Sequence, residues 1–133
     1  MKIMLDTNVL ISIIVFNSQS LNSMMKKILQ EHQLVLSSYI IEELKEVVKR
    51  RFSTKTNDLE IFLQTLVYEY VETPIITDFS LFSIRDMDDY PVLYTAILEK
   101  VYILITGDKD FSDVIIEKPE IVTPTAFIEK YIN

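Results

Sequence analysis

Apolar residues fall along the chain in short blocks separated by polar punctuation. Residues 2–5 (KIML) form an unbroken apolar run ending at Asp6 and read as a buried strand, and VLISIIV at 9–15 follows at once as a helix. Between residues 18 and 31, Leu21, Met24, Met25, Ile28 and Leu29 recur at helical spacing, and LVLS at 34–37 reads as a second strand. A helix is predicted from Ser38, which is placed to cap it, with Ile40, Ile41, Leu44, Val47 and Val48 facing inward. After the polar connection RRFSTKTND, residues 58–70 read as another helix through Ile61, Phe62, Leu66 and Tyr70. Residues 73–86, with Pro74, show no period. Pro91 then opens a helix with Val92, Leu93, Ala96 and Ile97 on its buried face, ending near Lys100. YILIT at 102–106 is a strand stopped by Gly107, IVT at 121–123 a last short strand, and Pro124 opens a terminal helix.

Strands separated by helical segments predict an α/β protein, a three-layer α/β/α sandwich around a mainly parallel sheet, because parallel strands need crossover connections. The 133 residues suit one domain over 1–133, with no repeat, low-complexity tract or linker.

Composition narrows the chemistry. Hydrophobic residues at 49% and charged residues at 25% describe a globular chain and exclude a disordered one. The absence of cysteine removes disulfides, thiolate metal sites and cysteine nucleophiles, and His32 alone removes a His-rich metal site. Asp6 and Asn8 interrupt the apolar start and no small-residue cleavage site follows, so the N-terminus reads as mature protein and the expected location is cytoplasmic. No run approaches the ~20 apolar residues of a membrane span. The net charge of −7 opposes a protein that coats nucleic acid through clustered Lys and Arg, unless the acids hold cations that themselves attract phosphate.

The acids are therefore the candidate chemistry. Ligands in an open parallel sheet bind beyond the carboxyl ends of the strands, and Asp6 and Asp108 each follow a predicted strand, which puts both on one edge. Either alone would be an ordinary helix cap. In IIEELKEVVKRR the apolar face centres near Leu44, so Glu42 and Glu46 point away while Glu43 sits at its border and can reach inward. The group RDMDD at 85–89 precedes a helix; one aspartate suffices to cap it, and crowding several is costly unless a cation is shared. Oxygen ligands without sulfur favour a hard cation, Mg²⁺ or Mn²⁺.

The order LDTN near the start, EEL in a central helix, RDxDD before a helix and TGDKDF after a strand resembles the PIN domain family over essentially the whole chain, and in particular its short bacterial members known as toxin components of toxin–antitoxin pairs. The resemblance implies a metal-dependent endoribonuclease with Asp6, Glu43, Asp89 and Asp108 at the four acidic positions and Asp6, Asp89 and Asp108 as metal ligands. Asn8, Ser38, Thr106 and Asp110 match accessory polar positions, and Arg85 is a candidate phosphate contact. Ala96, seven residues after Asp89, favours Asp89 over Asp88 as the ligand; the choice between them stays open. Met87 stands where relatives often have Pro, and Tyr90-Pro91 replaces a more polar pair, which bears on the local shape of 85–91. The implied partners are an RNA substrate, a small antitoxin protein presenting Arg or Lys to the acidic edge, and a second copy in a homodimer, for which Leu10, Ile14 and Phe16 are contact candidates as well as core candidates.

Backbone contacts to RNA must come from outside an acidic edge, and Lys45, Lys49, Arg50, Arg51 and Lys55 form the densest basic stretch. Ordinary i,i+4 pairing on a solvated helix accounts for it equally well. A haloacid-dehalogenase-like phosphatase would need a second Asp where Asn8 stands, and a receiver domain would need paired acids at the first strand. The remaining alternative is a catalytically inactive PIN-like module that binds RNA or protein, against which the presence of all four acids speaks.

Overall fold

The structure, a computed structural model, describes residues 1–132; Asn133, the last residue of the expected domain, lies outside them. Five strands, β1 (Lys2–Leu5), β2 (Gln33–Ser37), β3 (Glu69–Val71), β4 (Ile103–Ile105) and β5 (Glu120–Val122), form one sheet in the order β3-β2-β1-β4-β5. Every neighbouring pair is parallel, with Ile3, Met4 and Leu5 of β1 opposite Ile103, Leu104 and Ile105 of β4. Six helices join or follow the strands: α1 (Thr7–Ile14), α2 (Gln19–Glu31), α3 (Ser38–Arg51), α4 (Thr56–Thr65), α5 (Tyr90–Leu98) and α6 (Pro124–Phe127), the last continuing as a wider turn over Ile128–Ile132. The expected parallel α/β architecture is present.

Its strands read as continuous apolar runs because both faces of the sheet are covered: Ile3, Met4, Leu5, Leu34, Val35, Leu36, Ile103, Leu104 and Ile105 are all buried. Parallel crossovers are right-handed, so the connections that step from β1 out to β3 and those that run back through β4 to β5 cover opposite faces. The direction of stepping reverses between β1 and β4, which opens a crevice at their carboxyl ends.

Two expectations need correcting. The cap of α3 is Ser37, not Ser38: Ser37 keeps the extended backbone of the strand and its hydroxyl accepts the Ile40 N–H. The strand runs into the helix without a linker, so its last residue does the capping. Residues 58–70 are not one helix. α4 ends at Thr65, Leu66 turns extended, and residues 69–71 become β3 on the edge of the sheet. Ile61 and Tyr70, counted as buried helix positions, are exposed, and Leu59 is the buried residue of α4.

The segment without a period, 73–86, contains no helix or strand. Tyr90 holds it. Its ring is buried, stacks on Phe82 at 4.1 Å and lies 5.1 Å from Phe79, and its hydroxyl donates to the Asp78 carbonyl at 2.9 Å. One side chain at the start of α5 thus anchors the part of the loop that leads into the acidic group, while Thr73 is held by Ser38 and Thr77 by Tyr94. Tyr90→Ala is expected to cost ~3–5 kcal/mol in urea unfolding, and Tyr90→Phe, which loses only the hydroxyl contact, about 1 kcal/mol.

Candidate active site

Asp6 leaves β1 and caps α1, with its backbone N–H donating to the Ile105 carbonyl of β4 at 3.0 Å. Both of its carboxylate oxygens are held. Oδ1 accepts the Thr7 N–H at 2.8 Å and Oδ2 accepts the Thr106 hydroxyl at 2.7 Å. The same Thr106 hydroxyl accepts the Asp108 N–H at 3.0 Å, so one buried threonine ties the end of β1 to the loop after β4. Asp108 in turn caps the short turn Lys109–Phe111 by accepting the Asp110 N–H, and buried Phe111 anchors that turn in the core.

Glu43 reaches the site from α3, four residues before Val47 on the same helix face. Its carboxylate accepts the Thr7 hydroxyl at 2.5 Å, which locks it to the first turn of α1. From the other direction, Asp86 caps the turn Met87–Asp89 through the Asp88 N–H, so the single cap this group needs is Asp86. Asp88 is exposed, and its carbonyl accepts the Tyr39 hydroxyl at 2.7 Å.

Asp89 differs from all of these. It stands before α5 but makes no cap hydrogen bond, and its Oδ2 is buried without a partner among the described residues. Burial, and then the charges of Asp108, Asp6, Asp86 and Asp110, push its carboxyl up to about 8. Burial also raises Asp6; the hydrogen bonds from Thr106 and Thr7 oppose it, and Glu43 and Asp108 add to it.

Asp6, Glu43, Asp89 and Asp108 line one cleft of about 210 Å³, together with Thr7, Asn8, Ile11, Val47 and Arg51. A second grouping shares Asp89: carboxylate oxygens of Asp86, Asp89 and Asp110 all lie within 4.8 Å of one another. An unpaired buried carboxylate oxygen among crowded acids is what a hard cation would satisfy, so the residues present suit Mg²⁺ or Mn²⁺.

The other candidates are placed differently. Asn8 stands exposed at the lip of the cleft. Ser38 is committed elsewhere, its hydroxyl donating to the Thr73 hydroxyl at 3.1 Å and accepting the Thr73 N–H at 2.9 Å. Arg85 pairs with Asp113 at 2.5 Å and stands 3.8 Å from Asp110. Sequence reasoning passed over Thr7 as the donor to Glu43, Asp86 as the cap of the acidic group, and the position of Arg51 in the cleft wall. The threonine inside LDTN carried the first signal, since a hydroxyl between two site residues at a helix start invites a partner.

The family model for the PIN domain matches residues 2–110 of the chain. The chain belongs to the PIN domain family. That family is one of nucleases, hydrolases that act on nucleic acids with divalent metal ions. No curated protein matches the chain. Among solved structures, the fold is similar to that of VapBC2 from Rickettsia felis bound to a DNA fragment from their promoter, with a TM-score of 0.67 at 19% identity, covering 92% of this chain and 97% of that one. It is also similar to the PIN domain endonuclease Utp24, with a TM-score of 0.53 at 15% identity, covering 84% of this chain and 74% of that one. The matched region of the PIN domain holds every acid of the cleft and ends at Asp110; β5 and α6 follow it.

The charge of this PIN cleft predicts a pH dependence. Asp89 near 8 holds a proton in the folded protein that the unfolded chain releases near 4, so the folded state binds more protons across that window. Stability therefore falls as pH rises from about 4 to 8, and Asp6, also raised, acts in the same direction. In EDTA the unfolding temperature is expected to drop by a few degrees between pH 5 and 8.5, taking ~1 kcal/mol as about 4 °C for a domain of this size. Millimolar Mg²⁺ or Mn²⁺ should restore it, most at the alkaline end, and Asp89→Asn should flatten the profile. A flat profile for the unaltered protein would remove the raised Asp89 carboxyl.

Proposed function

We propose that the chain, taken over 1–133 as one nuclease domain, is a metal-dependent endoribonuclease that hydrolyses RNA phosphodiester bonds in the cytoplasm. The observation that carries this reading is the unpaired, buried Oδ2 of Asp89 among four other carboxylates. Structural acids are normally satisfied by hydrogen bonds, and this one is not.

Asp6, Asp89 and Asp108 would hold Mg²⁺ or Mn²⁺. The chemistry such a cation supplies is a nucleophilic water at neutral pH and relief of charge on the attacked phosphate. The chain's own part is positioning. Thr7 and Thr106 fix both oxygens of Asp6, so its carboxylate has one orientation. Glu43, held by Thr7, stands beside the cleft where it can accept a proton from water. Asp86 and Asp110 offer a second grouping of oxygens through the shared Asp89.

The regulation proposed is that of a toxin. The order of motifs resembles small toxin components, and the fold is like that of VapBC2. A small antitoxin protein would silence the cleft by placing Arg or Lys against its acids, and a homodimer would bring two clefts together.

Cleavage of mixed single-stranded and structured RNA by the purified protein tests the chemistry, in Mg²⁺, Mn²⁺ or EDTA, beside Asp6→Asn and Asp108→Asn. Metal-dependent cutting is expected, reduced at least ~10²-fold in both variants. Clean protein that cuts none of these RNAs in either metal would instead leave a binding module.

A further inference from the structure

An acidic cleft repels the strand it would cut, so the strand must be gripped beside the acids. α3 supplies a grip along the cleft wall, where Glu43, Val47 and Arg51 follow one another at intervals of four residues. Of the other basic residues of this stretch, Arg50 pairs with Glu46 at 3.4 Å and Lys55 with Asp58 at 3.6 Å, and Lys45 and Lys49 are not among the residues that line the cleft. No carboxylate pairs with Arg51 among the described residues. Its guanidinium carbon lies 5.5 Å from the centre of the Phe52 ring, and Phe52 meets Phe16 edge to face with ring centres 5.7 Å apart.

Phe16 is 66% exposed, yet its backbone belongs to a built corner. Val15 closes α1 on the Ile11 carbonyl at 2.8 Å, and Asn17 takes a left-handed φ of 49°, a conformation that asparagine tolerates better than most residues. The Asn17 side chain accepts from Asn22 at 2.8 Å, and Ser18 caps α2. A single exposed apolar residue is ordinary. A ring held outward, braced by a second ring beneath an unpaired guanidinium that itself lines the acidic cleft, forms a continuous track from the acids to an aromatic face.

We infer that Arg51 holds a phosphate beside the scissile one and that the Phe16–Phe52 pair receives the unpaired base next to it. The inference rests on the nuclease reading and names the residues that grip its substrate. Guanidinium suits a phosphate because its N–H groups form a planar fork. Stacking on an aromatic ring accepts any base but requires one free of pairing, which a duplex does not offer.

The test uses a single-stranded RNA of about ten residues with 2-aminopurine placed at successive positions, bound in EDTA at low salt and, separately, cut in Mn²⁺. Quenching at one position is expected for the unaltered protein and Phe16→Tyr, and its loss in Phe16→Ala. Phe16→Ala and Arg51→Ala should raise KM about tenfold with kcat within about twofold, and Arg51→Lys should recover part of the loss. Cutting whose KM and quenching ignore Phe16 would overturn the stacking site alone. Phe16-dependent quenching without cutting by the unaltered protein would keep the site and overturn the nuclease. Should Phe16→Ala turn a dimer into a monomer by sedimentation without changing the fluorescence, the rings belong to a protein interface and the inference fails. Thermal unfolding of each variant checks that it is folded.

Discussion

Mutual repulsion among carboxylates is the constraint that this structure is organised to withstand. Asp6, Glu43, Asp89 and Asp108 share one cleft, and Asp86 and Asp110 crowd Asp89 from outside it. Like charges this close would separate on a flexible chain. Here they are anchored by neutral donors. Thr106 joins Asp6 to the backbone of Asp108, Thr7 joins Asp6 to Glu43, and each short turn around the acids begins with an aspartate that caps it. The distinction drawn from sequence between a capping aspartate and a site aspartate dissolves for Asp6 and Asp108. Capping fixes the carboxylate, and a fixed carboxylate is what a site requires.

Topology explains why so much of this was legible. A strand buried on both faces leaves an unbroken apolar run, so β1, β2 and β4 could be read directly, and the residue at the end of each run had to lie on the common carboxyl edge. That reasoning placed Asp6 and Asp108 together across a hundred residues. It failed at β3, a three-residue edge strand whose outward Tyr70 is half exposed and whose Glu69 pairs with Lys2 at 3.4 Å. A strand with so little burial carries no pattern of its own, and the apolar residues around it were absorbed into a helical period. The illegible stretch 73–86 has the same cause in a different form. Its order comes from contacts outside it, Ser38 against Thr73, Tyr94 against Thr77 and Tyr90 against Phe82 and Asp78, and no local period can record them.

Within the site, what escaped sequence reasoning lies between helices. Glu43 could be placed at the border of an apolar face, but its partner Thr7 sits on another helix, and only the packing of α1 on α3 brings them together. Arg51 belonged to a basic run of which any member was an equal candidate. Position separates them, since Arg50 and Lys55 have acidic neighbours, Lys45 and Lys49 do not line the cleft, and Arg51 turns to Phe52 and the cleft.

The net charge of −7 then loses its force as an objection to nucleic-acid chemistry. Whole-molecule charge governs encounter over distances on the order of the ~8–10 Å Debye length, whereas grip is decided by the few groups in contact. On the proposed reading, a cation held by the acids of the cleft would offset part of their charge and offer phosphate a positive centre at its floor, with Arg51 at its wall. The surrounding acids would then serve selectivity, because a polyanion would be repelled everywhere except where the cation and the guanidinium lie together. A protein of this charge is poorly suited to coat nucleic acid, and on that reading it would hold one flexible segment of it at a single point.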